Sequence, residues 1–542
     1  MLSRTFLAAV SVALGLSGTP AGQPPQTRRQ AEPVPTFVVS GHGWGHGVGL
    51  SQYGALGYAQ HGARYDAIIA HYYPGTTLGP APLTKVRVLL AEKKKHVSVA
   101  SQLPFAVKDS TGKTYHLAAR AYDFGPGFKL KVDPAKPAKP LPGPLVFSPG
   151  GTALALEGRA YRGTLQVSAV DARLQVVNTV GLELYLAGVV GREMPQSWPL
   201  EALKAQAVVA RSYALSHLAT AGDFDLYADT RSQVYGGVAA ESPSTTAAVN
   251  ATAGRVVLYR GRVASTYFFS TSGGRTAAVQ DVWPASEPLP YLVSVPDPYD
   301  TISPYHDWGP IRFTPGDLTR RLALPSRVLD VQTIQNTSNR VRSVVATTAL
   351  GQTTVAGADA RRALGLRSTW FRVGVLALTA PPAPVVVGSQ ARLNGLARGL
   401  AKAVLQQRPF GGGWSSVGTV SPAKDGTIAP VVQPRISTSY RLAVGKVASA
   451  TAQVGVAPLV RFYTVADRAN LRGFVRPVLA GAPVQIQRLS GTSWATVARA
   501  TVDANGDFAA QLTVSAGTYR ARVAPGHGFV PGTSSPLKVL PA

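Results

Sequence analysis

Glu193 is the residue of this 542-residue chain whose neighbours best suit it to hold and release a proton. Val189-Val190 precede it and Met194-Pro195 follow. A carboxylate among apolar side chains loses hydration, which favours the neutral acid and raises its pKa. A carboxyl kept protonated near neutral pH is a general acid. The opposing reading of the same residues is a surface glutamate near a helix start, where the helix dipole favours ionisation. A helix follows. Pro199 suits its first turn, and Leu200, Leu203, Ala207, Ala210, Ala214 and Leu218 recur at three- and four-residue steps as one buried stripe. Gln206, Arg211 and Tyr213 lie on this helix. Arg211 could grip a carboxylate with its planar fork, and Tyr213 offers a ring face for stacking; a structural hydrogen bond is the alternative for each. No second acid occupies an equally apolar block.

A second candidate is Gly41-His42-Gly43-Trp44-Gly45-His46-Gly47-Val48-Gly49-Leu50-Ser51-Gln52-Tyr53-Gly54-Ala55. Alternating glycines let backbone approach a ligand or another segment closely. His42 and His46 could position a ligand or hold a metal, but two histidines with no third ligand at a readable spacing are a poor metal signature. A packed loop is the alternative.

The elements that must position these residues read mainly as strands. The chain carries 55 Gly and 42 Pro, which favours strands and turns over long helices. Alternation begins at Lys85 (Val86, Val88, Leu90) and returns at Leu165-Gln166-Val167 and Leu174-Gln175-Val176-Val177. A helical block spans about Leu182 to Leu218. Its length and 45% hydrophobic content call for several packed domains. Met1-Leu2-Ser3-Arg4, the apolar run Thr5 to Leu16 and the small residues Thr19-Pro20-Ala21 have the layout of a secretory signal peptide. The expected mature protein is therefore secreted, extracellular or wall-associated, with no transmembrane segment. There is no cysteine, so disulfides, thiolate catalysis and Cys-based zinc sites are excluded.

Lys plus Arg number 54 against 27 Asp plus Glu, a net charge of +27. Such a field draws anions; export argues against nucleic acid and for anionic wall polymers. The basic residues are scattered, with Lys93-Lys94-Lys95 the one short run, and a solvated surface without a specific partner is the alternative. The Pro-rich step 379–384 marks a linker. Beyond it Trp414, Asp425-Gly426 and Tyr440-Arg441 recur as Trp494, Asn505-Gly506 and Tyr519-Arg520, a period of roughly eighty residues. Alternating strands around a turn predict two small β-sandwich modules, 385–456 and 457–542, for wall binding or spacing.

The stretch Val177-Asn178, Leu182-Glu-Leu-Tyr-Leu186, Gly188-Val-Val190, Glu193-Met-Pro195, Trp198 and Glu201-Ala-Leu-Lys-Ala-Gln-Ala-Val-Val-Ala-Arg-Ser-Tyr-Ala-Leu215 resembles the signature of the SpoIID/LytB family. Tyr161-Arg-Gly163, Gln233-Val-Tyr-Gly-Gly237, Ser272-Gly-Gly274 and Pro290-Tyr-Leu292 extend the resemblance over most of residues 36 to 375. It implies a lytic transglycosylase with Glu193 as acid/base. That one carboxyl protonates the leaving oxygen between N-acetylmuramic acid and N-acetylglucosamine and takes the proton of the muramic 6-hydroxyl, which closes a 1,6-anhydro ring. Arg211, Tyr213, Gln206, Gln233, Tyr235, Ser272, Gly273, Gly274, His42, His46, Gln52 and Tyr53 are the substrate-binding candidates. The family's His/Gly block usually follows the Glu-bearing region; here it comes first, which implies a circular permutation that folds His42, His46, Gln52 and Tyr53 back beside Glu193. Some members bind zinc through a Cys just before Gln-Val-Tyr; that place is Ser232 here, so no metal or other cofactor is expected.

The expected architecture is a signal peptide (1–22), a linker (23–35), an α+β catalytic core of mixed strands with one major helix (36–378), and two all-β modules. The expected partner is the peptidoglycan glycan strand. The rival functions are a non-catalytic amidase enhancer and a wall-binding protein.

Overall fold

The computed structural model describes residues 34–540 apart from 83, 134, 220, 401 and 465–469. The expected signal peptide, and its linker up to residue 33, lie outside the described residues. Strand predominates, at 42% against 16% helix, spread over many small sheets. Among the described residues no helix is long and apolar enough to cross a membrane.

Helices α1 (Gln52–Gln60), α2 (Tyr65–Tyr72), α3 (Leu182–Glu193) and α4 (Leu200–Ser216) surround the Glu193 region. They share one apolar core with a seven-stranded sheet ordered 226–227, 85–94, 173–181, 164–170, 145–148, 105–108 and 114–117. Period-2 alternation buries Val86 and Val88, Leu165 and Val167, and Leu174 and Val176 toward that core. Strand Arg173–Gly181 runs straight into α3, so the sheet fixes where the helix starts and Glu193 ends it.

The helical block is two helices rather than one major helix. Residues preceding proline avoid the α region, and Pro195 and Pro199 interrupt the block between Met194 and Leu200. The expected single stripe on α4 is also too narrow. Leu200 is 43% exposed, while Ala202, Ala205, Val208 and Val209 join Leu203, Ala207, Ala210 and Ala214 in burial. Alanines on most sides let α1, α2, α3 and a following helix, Pro243–Ala251, close around α4. On α3, Gly188 has the same use, since a Cβ there would lie 2.6 Å from the Tyr235 ring.

A second core forms where Thr36–His42 pairs with Asp307–Phe313 on one side and Phe371–Thr379 on the other. Alternation along this N-terminal strand sends Phe37 and Val39 into that core and Val38 into a third, within the first carboxy-terminal module. Residues 380–384 are coil, yet the sheet continues past them: Phe371–Thr379 also pairs with Asn394–Arg398. The second module is a sandwich of a three-stranded sheet and a five-stranded one around Leu471, Val475, Ile486, Phe508, Tyr519 and Ala521. The sequence repeat is structural: Tyr440 and Tyr519 are both buried, on equivalent strands Thr438–Val444 and Gly517–Val523.

Arg211 holds the helical layer together. Fully buried on α4, it donates through Nε to Glu183 Oε1 of α3 at 3.0 Å and through Nη1 to the Arg255 carbonyl at 3.0 Å. The same Glu183 oxygen accepts the Gly254 amide at 3.0 Å. Removing one partner of a buried pair strands the other. Arg211→Met should destabilise the chain by about 3 kcal/mol, the low end for such pairs because Glu183 keeps some solvent contact; a urea midpoint unchanged from wild type would contradict this role.

Candidate active site

Glu193 is half-buried at the last turn of α3, where the carbonyl end of the helix dipole disfavours a negative charge. Burial is the main cause that lifts its pKa above the ordinary carboxylate range, and two donors oppose the rise. The Val234 backbone N–H donates to Oε1 at 3.3 Å and Gln52 Nε2 donates to Oε2 at 3.4 Å. Each carboxylate oxygen thus has one neutral donor, and neither partner is acidic. The predicted return of the His/Gly block to Glu193 is met at Gln52, 141 residues away in sequence.

Aromatic rings line the surroundings. Tyr53 packs edge-on against Trp198 at 5.1 Å, in the α3–α4 connection just past Glu193. Tyr213 stacks on His217 at 4.0 Å and meets Tyr267 edge-on at 5.8 Å. Burial, then Tyr267 and the Glu193 carboxylate, push the Tyr213 phenol up to about 12. Tyr267 in turn packs on Trp283 at 4.8 Å, and His46 lies against Tyr267, Phe269 and Trp283. Enclosure there, with the Arg340 charge next, drives the His46 imidazole down to about 3, so it stays neutral. His46 therefore extends the aromatic wall away from Glu193, and its Nδ1 accepts the Val48 amide at 3.1 Å.

Other candidates have different work. His42 is not brought to Glu193: its Nδ1 pairs with Asp307 at 2.6 Å and its ring packs on Trp370. Arg211 already holds Glu183, so it has no free fork for a substrate carboxylate. Gln233 accepts from the Tyr185 hydroxyl at 3.1 Å and donates to the Ala210 carbonyl at 3.2 Å, while the Tyr235 hydroxyl donates to Asn178 at 3.1 Å. Both side chains are buried anchors; the group the Gln-Val-Tyr segment offers Glu193 is the Val234 N–H between them. Gln206 is fully buried, with neither amide atom hydrogen-bonded.

Ser272 and Gly273 wrap a carboxylate of the chain itself, while the Gly274 amide donates to Ser272 Oγ at 3.0 Å. Asp300 Oδ1 accepts the Ser272 amide at 3.0 Å, and Oδ2 accepts the Gly273 amide at 2.7 Å and faces His306 Nδ1 at 3.0 Å. Positive φ at Gly273 and Gly274 makes this close wrap accessible. Ser51 Oγ donates to Asp300 Oδ1 at 3.1 Å and also accepts the Gly54 amide at 3.2 Å as the N-cap of α1. Asp300 thereby fixes the turn whose next residue is Gln52. Beside it lies Asp297, with the Tyr72 hydroxyl donating to Oδ1 at 2.8 Å. Burial and then the Asp300 charge push the Asp297 carboxyl up to about 6. Asp297 and Asp300 are both fully buried, a placement that their own sequence neighbours do not announce; neither binds Glu193. Trp198, Tyr267, Trp283 and the Val234 amide were also unassigned, although Trp198 and Val234 stand inside motifs already singled out.

The residues do not fit the zinc site of some relatives. Ser232 Oγ, in the place of the cysteine, accepts the Tyr227 amide at 3.1 Å, and among the described residues no three His, Asp or Glu side chains converge as metal ligands.

Residues 170–259, which include Glu193 and Val234 but not Gln52, match the family model described as SpoIID, stage II sporulation protein. The similarity to the SpoIID family thus lies on the part of the chain that carries Glu193 and Val234. An uncharacterized protein of Brachyspira hyodysenteriae is 39% identical over 143 residues, covering 26% of this chain and 38% of that protein. The amidase enhancer of Bacillus subtilis is 39% identical over 149 residues, covering 27% and 20%. Stage II sporulation protein D of Bacillus subtilis is 32% identical over 216 residues, covering 36% and 61%. The chain thus spans between a fifth and about three fifths of the length of these SpoIID/LytB relatives. A two-domain fibronectin type III segment of chicken tenascin aligns with 30% of this chain and 97% of its own length, at 14% identity and a TM-score of 0.20, too low to bear on the fold.

Two pH effects follow. The Gln52 amide favours ionised Glu193, so Gln52→Leu should move the ionisation midpoint of Glu193 upward; difference infrared titration of the carboxyl band checks it, and a downward move contradicts the contact. Asp297 binds its proton more tightly folded than unfolded, so its ionisation lowers stability between about pH 4 and about 6, with a level course above. Asp297→Asn should flatten that slope and stabilise the chain at pH 7 by about 2 kcal/mol, measured by denaturant unfolding at several pH values.

Proposed function

We propose that this protein is an exported peptidoglycan lytic transglycosylase that cleaves the glycosidic bond between N-acetylmuramic acid and N-acetylglucosamine, with Glu193 as its acid/base residue. The observation that carries the reading is a single half-buried carboxyl, raised in pKa by burial, with one neutral donor on each oxygen. The protonated acid donates to the leaving glycosidic oxygen. The resulting carboxylate takes the proton of the muramic 6-hydroxyl as that oxygen closes on its own anomeric carbon, giving a 1,6-anhydro product. No water enters the products, so a second carboxylate to activate one is not required.

Gln52 and the Val234 amide hold the carboxyl in place through both proton transfers. Both favour the ionised form and so limit how far burial raises the pKa. Trp198 with Tyr53, and Tyr213 with its neighbours, supply apolar ring surface on which sugar faces can lie. The partner on this reading is the glycan strand.

A second reading is favoured by one observation, the match to a relative named amidase enhancer. On that reading the same cleft binds glycan without cleaving it and assists an amidase.

Digestion of purified glycan strands separates the two. The transglycosylase yields fragments lighter by one water than hydrolysis would give. Glu193→Gln should reduce cleavage by at least about 100-fold, the lower range for losing a general acid, without lowering the melting temperature. Full activity in that variant rejects the assignment, and stimulation of an added amidase without cleavage supports the second reading.

A further inference from the structure

The two carboxy-terminal modules repeat a surface arrangement that neither core uses. In the first, the guanidinium carbons of Arg408 and Arg441 lie 5.0 and 4.0 Å from the ring centre of Trp414, and Arg441 Nε donates to Gln406 Oε1 at 2.8 Å. In the second, Arg520 lies 4.2 Å from the ring centre of Trp494, and its Nε donates to Gln487 Oε1 at 2.8 Å. The two sets are register equivalents. Gln406 stands opposite Arg441 and Gln487 opposite Arg520, and each tryptophan sits on the neighbouring strand or at its hairpin. Trp414 and Trp494 are half-buried and lie outside the apolar cores of their modules.

Charge singles out this face. Residues 385–542 hold 17 Lys and Arg against 4 Asp and Glu, a net +13. Among the described residues Arg408, Arg441, Arg520 and Arg522 form no ion pair with a carboxylate. Arg520 even neighbours Arg522, and burial together with that like charge lowers its pKa. Cations placed together without acids are repulsive until an anion arrives. Stacking on tryptophan and the Nε bond to glutamine hold each guanidinium flat, while its terminal N–H groups remain for bidentate bonds to an oxyanion. Over each indole a guanidinium already lies, at 4.0 Å in the first module and 4.2 Å in the second.

We infer that the Gln406–Arg441–Trp414 and Gln487–Arg520–Trp494 faces bind a flexible, extended polyanion, a single-chain polymer with phosphates or carboxylates at short intervals. Two sites on one tail engage two stretches of one such chain. The inference is independent of the reaction at Glu193.

The test uses the full-length protein with two probes, soluble polyglycerol phosphate and polygalacturonate, in about 0.15 M salt. Arg441→Gln with Arg520→Gln should weaken binding to at least one probe by about tenfold or more, as expected for lost charged hydrogen bonds. The steepness of the salt dependence should fall with it. Lys94→Gln with Lys95→Gln, which removes the same charge from an exposed strand end of the core, should change affinity by less than about threefold. Arg408→Gln alone, at an exposed position, should weaken binding if the double variant proves unstable. The probe that responds tells phosphate from carboxylate. Equal losses in both double variants would reduce the effect to overall charge and overturn the inference. So would unchanged binding in the arginine variants, or tighter binding to duplex DNA than to either polymer. Glycan cleavage should persist in the arginine variants, so failure here and failure of the Glu193 reading are separate results.

Discussion

The buried Asp300 carboxylate is the knot on which the candidate site depends. It gathers the Ser51 hydroxyl and the Ser272 and Gly273 amides from two distant stretches of chain, and the His306 ring from close by. A buried carboxylate is tolerated only when its lone pairs are met, and here the partners lie 27 to 249 residues away or, for His306, six. Satisfying one charge therefore sets the position of the N-terminal block. Ser51, held there, caps α1, and Gln52 follows it onto Glu193. The N-terminal turn of α1 lies against Asp297 as well: a Cβ at Gly54 would come within 2.4 Å of that carboxyl. The helix dipole at this end favours negative charge.

The burial of Glu193 was partly legible in the sequence, but the groups that hold it were not. Apolar flanks around Glu193 are a local signal, and burial does raise its pKa. The period of α4 is also local, and most of its stripe is buried. What one-dimensional reading could not separate is a polar side chain that faces a ligand from one that faces the chain itself. Arg211, Gln233, Tyr235 and Ser272 were all candidates for substrate, and all four spend their polar atoms on the fold. The Gln-Val-Tyr segment illustrates the difference. Its two polar side chains are anchors, and its functional group is the amide of the apolar residue between them, which any residue but proline could supply. Asp297 and Asp300 stayed hidden because the groups that enclose and bond them, Tyr72, Ser51 and Ser272 among them, come from distant segments.

The repeat was a local signal, and its two copies pair their strands in the same way, Gln406 opposite Arg441 and Gln487 opposite Arg520. The Pro-rich step between them and the core gave a different impression from the sheet it accompanies. Proline lacks the N–H needed for a ladder bond, so 380–384 is coil, but strands on either side of it pair with each other. The N-terminal strand lies in that sheet too, with its alternate residues in two different cores. Part of the first module's core is thus supplied by a residue more than 300 positions earlier, which no local pattern announces.

This continuity of backbone pairing decides how far the carboxy-terminal tail can wander. A flexible tether samples a cloud whose width grows as the square root of its length, and anything held at its end meets the enzyme only at an averaged local concentration. Here the first module continues the sheet of the core, and the second is tied back to it through the Val456 and Gly528 carbonyls. A polymer gripped by the tail would then reach the Glu193 region at a set offset, so the tail would act as a ruler rather than a leash.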